Sequence, residues 1–157
     1  MKNRYKIQYS ILAVLVVVIF VELFNILQVK DVSIEKIKSD IVQATDVSTM
    51  VEDDGSRLKK LYGINKRDVE DFVLYAPKSN MEANEILILK TKSKDDLKSL
   101  QAKVNDRVKK QSDSFKNYEQ TQYGIISNYV LEQKEQYLIL VISKDSKSIK
   151  ESIDKEF

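Results

Sequence analysis

Two glutamates and two small polar residues carry the most suggestive chemistry in the chain. Glu82 and Glu85 bracket a short polar connection that also holds Ser79 and Asn80, at the start of a segment that is apolar on both faces. Paired carboxylates perform acid–base work when their surroundings drive their pKa values apart. More often such a glutamate caps a loop or accepts from its backbone, and structure is favoured here over ligand binding, with catalysis last. The run Glu52-Asp53-Asp54-Gly55 invites a calcium reading, but it lacks the alternating oxygen ligands and the bidentate glutamate at the twelfth position. It reads as a solvated turn.

The missing residue types are equally informative. The chain has no cysteine, hence no thiol nucleophile, disulfide framework or iron–sulfur site, and no histidine, the commonest metal ligand and neutral-pH base. Serine is plentiful, yet no G-x-S-x-G elbow occurs, and three glycines in all leave no phosphate-cradling loop. No catalytic residue, metal or cofactor is assigned. The net charge is +2, and the surplus lies in Lys2, Arg4 and Lys6 against Glu22, so that everything from Lys30 onward is neutral. Such a balance argues against a nucleic-acid partner. Lys98, Lys103, Lys109, Lys110 and Lys116 are interleaved with Asp96, Asp106 and Asp113 and read as a solvated helix face.

These candidates need elements to hold them in place. Residues 11–27 read ILAVLVVVIFVELFNIL, interrupted only by Glu22 and Asn25, behind a basic start. The pattern predicts an uncleaved transmembrane signal anchor over 9–28, with a cytoplasmic tail over 1–8 and an extracytoplasmic domain over 29–157. A cleaved signal peptide is the rival, disfavoured because the residues after Val21 are bulky throughout. Glu22 and Asn25 share a helix face, either meeting a polar partner or reaching the interface; the interface is preferred.

Beyond the anchor, Ile34, Ile37 and Ile41 mark a helix over 33–44 capped by Asp31 or Ser33, and a second runs from Ser56 to Tyr62 with Gly63 as its C-terminal stop. Asn65 with Asp68 resembles another cap. Strands are expected at 72–76, ended by the sole proline Pro77, and at 85–91. Ser93 caps a long helix whose stripe is Leu97, Leu100, Val104, Val108 and Phe115, with Gln111 in the gap. One or two helical turns around 122–127, a hairpin over 128–143 and a last helix carrying Ile149 and Ile153 complete the chain. The expected fold class is α+β: a transmembrane helix, then a ββαββα-type domain with a mostly antiparallel four-stranded sheet packed against helices, in the strand order first, second, fourth, third.

Leu61-Tyr62-Gly63-Ile64, the run from Val69 to Tyr75, the segment from Ser79 to Ile86, and later Arg107, Gln111, Phe115, Tyr118 and the strand ending at Ser143 resemble the bacterial family catalogued as domain of unknown function 4358. The resemblance spans about residues 32–155. It implies an envelope-exposed protein without established activity, sometimes beside acyl-transfer machinery that modifies surface polymers. It also implies a small-residue/Met loop, an acidic residue opening the second strand and a tyrosine after the long helix, which fall here on Ser79–Ala83, Glu85 and Tyr118. The absence of a lipobox cysteine departs from the pattern and leaves the helix as anchor.

The candidate binding residues are therefore Ser79, Asn80, Glu82, Glu85 and Tyr118. The expected function is a membrane-anchored, non-catalytic accessory or binding module of a cell-envelope complex, at the cell membrane with its C-terminal domain outside. Its expected partners are the membrane and another envelope or membrane protein. The alternative is an extracytoplasmic hydrolase or transferase using Glu85, Glu82 or Ser79.

Overall fold

The computed structural model describes residues 2–27 and 32–157, with side chains from 32 onward and, in the first helix, at 9 and 11–23. The chain divides into two compact units, 1–31 and 32–157. The first unit is helix α1, Lys2–Leu27.

Among the described residues no helix is long and apolar enough to cross a membrane. This overturns the expected single-pass anchor, and with it the placement at the cell membrane with the C-terminal domain outside. Length is not the obstacle, since α1 has 26 residues. Its unbroken apolar stretch, from Ile11 to Val21, is 11 residues between Ser10 and Glu22. At 1.5 Å per residue that is about 17 Å, little more than half of a ~30 Å hydrocarbon layer. The proposed Asp31 cap, the Asn25 side chain and residues 28–30 lie outside the described residues.

The second unit is an α/β/α sandwich built on one antiparallel sheet. Its elements are α2 (Ile34–Ala44), β1 (Met50–Glu52), α3 (Ser56–Tyr62), β2 (Asp71–Pro77), β3 (Glu85–Lys90), α4 (Leu97–Phe115), α5 (Gln120–Ser127), β4 (Val130–Lys134), β5 (Tyr137–Ile142) and α6 (Ser146–Asp154). The sheet has five strands in the order β1-β2-β3-β5-β4, not the four expected. The four strands read from sequence do lie in the expected order. The addition is β1, which pairs Val51 with Ala76 at the edge. It has three residues, only Met50 of them buried, too short to show a period-2 signal.

Period-2 alternation splits the core in two. Leu74, Ala76, Leu87, Leu89, Leu138 and Leu140 point to the side covered by α3, α4 and α5. Val73, Tyr75, Ile86, Ile88, Ile139 and Val141 point to the side covered by α2 and α6. β3 and β5 are buried on both faces and sit side by side, Leu87 opposite Leu140 and Ile88 opposite Ile139. Helix ends follow local chemistry. Gly63 closes α3 at φ 64°, a left-handed conformation that favours glycine. Asn65 and Asp68 form a capping box on a single 3₁₀ turn. Ser93 accepts from the Asp95 backbone ahead of α4.

Leu87 has no exposure at the centre of the sheet. Leu87→Ala is expected to cost about 3 kcal/mol through lost burial and a residual cavity, read as a lowered urea midpoint with unchanged slope. A loss under about 1 kcal/mol would mean that the core closes over the gap.

Candidate functional site

The loop 78–84 joins β2 to β3 and is tied down at Ala83. The Ala83 N–H donates to Gln122 Oε1 at 2.8 Å, and its carbonyl accepts from Gln111 Nε2 at 3.2 Å. Glutamines from α5 and α4 thus fix the end of the loop against the helical layer. Below it, β3 begins with Glu85, whose odd-numbered position turns it inward with Leu87 and Leu89.

Glu85 has no exposure. A buried carboxylate is tolerable only when paired and hydrogen-bonded. Arg107, in the middle of α4, meets it with a two-pronged contact, Nη2 to Oε2 at 2.7 Å and Nε to Oε1 at 3.3 Å. The Tyr62 hydroxyl, at the end of α3, donates a hydrogen bond to Oε1. Burial pushes the Tyr62 phenol well up, and the Glu85 charge reinforces it. For Arg107, burial works against the charged form, but the hydrogen bond and charge of Glu85 prevail and raise its pKa. Tyr62 is thereby held neutral and Arg107 charged, and β3, α3 and α4 are joined at a point.

Beside this cluster lies a cleft of about 470 Å³ between α3, α4 and the 78–84 loop. From α3 it is lined by Arg57, Lys60 and Leu61, from α4 by Arg107, Lys110, Gln111, Ser114 and Phe115, and from the loop side by Pro77, Lys78, Ser79, Asn80 and Glu82. Five cations therefore face one carboxylate. Arg107 is neutralised by Glu85, and Lys110 pairs with Asp106 at 2.6 Å. Arg57 donates to the Pro77 carbonyl at 2.8 Å, and Lys78 donates to the Ser48 carbonyl, so both rest on neutral acceptors.

The five candidate residues thus separate. Ser79, Asn80 and Glu82 come together on the cleft. Glu85 lies outside the lining, buried in its pairing with Arg107 and Tyr62. Tyr118 is 69 % exposed, away from the lining, and its hydroxyl donates to Met81 Sδ at 3.7 Å. The acidic turn at 52–55 serves α3: Asp53 accepts from the backbone of Gly55, Arg57 and Leu58. Burial raises the Asp53 pKa, and those donors outweigh it to leave it lowered. Among the described residues no cluster of acidic side chains is arranged to hold a metal ion.

Sequence reasoning missed the cationic lining. Lys110 belongs to the face that the sequence pattern marks as solvated, and no motif singles out Arg57, Lys60 or Lys78. The available signal was spacing: Arg57, Lys60 and Leu61 share one helix face, as do Arg107, Lys110, Gln111 and Ser114.

Sheet, helical layers and cleft together define an α+β domain with a polar, cation-lined recess beside a buried ion pair. The family described as "Domain of unknown function (DUF4358)" matches residues 43–143, and the chain belongs to it. No curated protein and no solved structure matches the chain.

Glu85→Gln removes the counter-charge of Arg107 and is expected to cost roughly 3 kcal/mol; Tyr62→Phe is expected to cost about 1.5 kcal/mol. The raised Tyr62 pKa stabilises the fold fully below the ordinary phenol value of 10.0, and that contribution is lost as pH rises beyond it toward the folded-state value. Alkaline denaturation of Tyr62→Phe should therefore be shallower above about pH 10 than that of the wild type. Identical slopes would remove Tyr62 from the buried network.

Proposed function

We propose that this protein is a non-catalytic accessory module that recognises a ligand in the cleft between α3, α4 and the 78–84 loop. The observation that carries the reading is convergence: Ser79, Asn80 and Glu82 from the loop meet Arg57 and Lys60 from α3 and Arg107 and Lys110 from α4 around one recess. The recess falls within the ~300–1,000 Å³ usual for small-ligand sites. It is built on helices braced by the Glu85–Arg107 pair, and a rigid frame reduces the ordering cost of binding.

Binding is preferred over the hydrolase or transferase alternative because Glu85 commits its oxygens to Arg107 and Tyr62. Ser79 Oγ accepts the Met81 N–H at 3.3 Å, and no histidine exists to activate it.

The test uses a photo-crosslinking residue in place of Asn80, on the cleft, or of Lys98, on the exposed side of α4. Each protein is irradiated in extract of its source cells, and adducts are identified by mass spectrometry. A discrete adduct at position 80 and none at 98 is expected. Equal capture at both positions, or none at 80, would remove the cleft as the recognition site.

A further inference from the structure

We infer that the cleft takes a small polyanion, a compound bearing two or more phosphate or carboxylate groups. The inference rests on the cleft being the recognition site and adds the chemical class of what fills it. The argument begins with charge. Beyond the first 29 residues the chain is neutral overall, so an excess of one sign in a single recess is a local arrangement rather than a property of the whole surface. Of the cations lining the cleft, Arg107 and Lys110 have carboxylate partners; Arg57, Lys60 and Lys78 have none within ion-pair distance among the described residues. One lining carboxylate, Glu82, stands against those three, and it sits in the same loop as Lys78. Like charges held together around a concave space repel one another, and a multiply charged anion relieves that repulsion while accepting their hydrogen bonds.

The geometry of the donors points the same way. Arg57 spends Nη1 on the Pro77 carbonyl, which orients its guanidinium, whereas the Nε and Nη2 groups of Arg107 are already taken by Glu85. An anchored guanidinium with further N–H groups favours planar or tetrahedral oxyanions, which accept paired N–H bonds. Lys60, in the last turn of α3, adds a compact ammonium charge on a flexible stem.

The test uses the full chain, with sodium tripolyphosphate and citrate as probes and acetate as the singly charged control, followed by titration calorimetry. Lys60→Ala and Lys78→Ala, alone and together, remove cations that are exposed and make no ion pair, so folding is retained and is checked by circular dichroism. Lys98→Ala with Lys116→Ala removes the same charge elsewhere. The expected result is saturable binding of at least one polyanion, weakened about tenfold or more for each cleft lysine removed. Binding should fall with added salt and stay unchanged in the Lys98/Lys116 control. Tripolyphosphate alone would assign a phosphorylated ligand, citrate alone a polycarboxylate, and both the shared oxyanion chemistry. No binding, or equal weakening by cleft and control substitutions, would overturn the inference. A crosslinked adduct at position 80 alongside no anion binding would leave the cleft as the recognition site and overturn only the ligand class.

Discussion

A carboxylate with no access to solvent cannot remain ionised in a protein unless cations and hydrogen-bond donors replace the water it has lost, and that constraint organises this domain. Glu85 opens one of the two strands buried on both faces, and the groups that satisfy it come from two different helices. Truncating any one of them leaves a polar group stranded. The pair need not add much net stability, because desolvation consumes most of the Coulombic gain. Its effect is on specificity of packing: α3 and α4 can adopt few relative positions that keep Tyr62 and Arg107 on the same carboxylate. Since both helices also carry the cationic side chains of the cleft, the buried pair sets the shape of the recess next to it.

The sheet makes that arrangement possible. With helices on both faces, β3 and β5 are apolar except at the two ends of β3, Glu85 and Lys90, and of these two only Glu85 is buried. Placing the charge at the end of the strand, beside the loop rather than in mid-sheet, lets Arg107 reach it while keeping part of its own side chain, 18 % by surface, in contact with solvent. At Leu87, the next position on the same face, both charges would have to be buried fully. The loop is then held by glutamines rather than by ions, which satisfies Ala83 at both backbone groups without adding charge to the layer.

Much of the architecture was legible because it depends on short-range patterns. The two-faced runs at 85–89 and 137–142 identified the central strands, and their position fixed the order of the four strands read from sequence. Gly63, Ser93 and the Asn65/Asp68 pair announced helix ends through backbone requirements that are local. β1 was not legible because its three residues gain their place only by pairing with β2. The anchor was over-read: seventeen mostly apolar positions suggested a span, but the unbroken part stops at Glu22. The candidate loop was found, yet Glu85 was grouped with it by proximity in sequence, when its partners lie 23 residues before it and 22 after. Only a folded chain brings those together.

The same limit explains why a neutral domain conceals a basic cleft. Along α4, Lys98, Lys103, Arg107, Lys109 and Lys110 are interleaved with only Asp106 and Asp113, and reading them as a solvated face is correct for Lys109, paired with Asp113 across one turn. The fold then sorts those charges by direction. Asp106 and Glu85 each neutralise one cation at the cleft wall, and the surplus is contributed by α3 and the loop: Glu82 is the one carboxylate they bring to the lining, while Asp53 is used elsewhere, holding the N-terminus of α3 through three backbone N–H groups. An acid committed to backbone donors is already stabilised where it stands, so it has little reason to leave them for a lysine across the groove. The positive character of the recess is therefore a consequence of the capping and burial that build the helices around it, and it persists for as long as those structural carboxylates remain engaged.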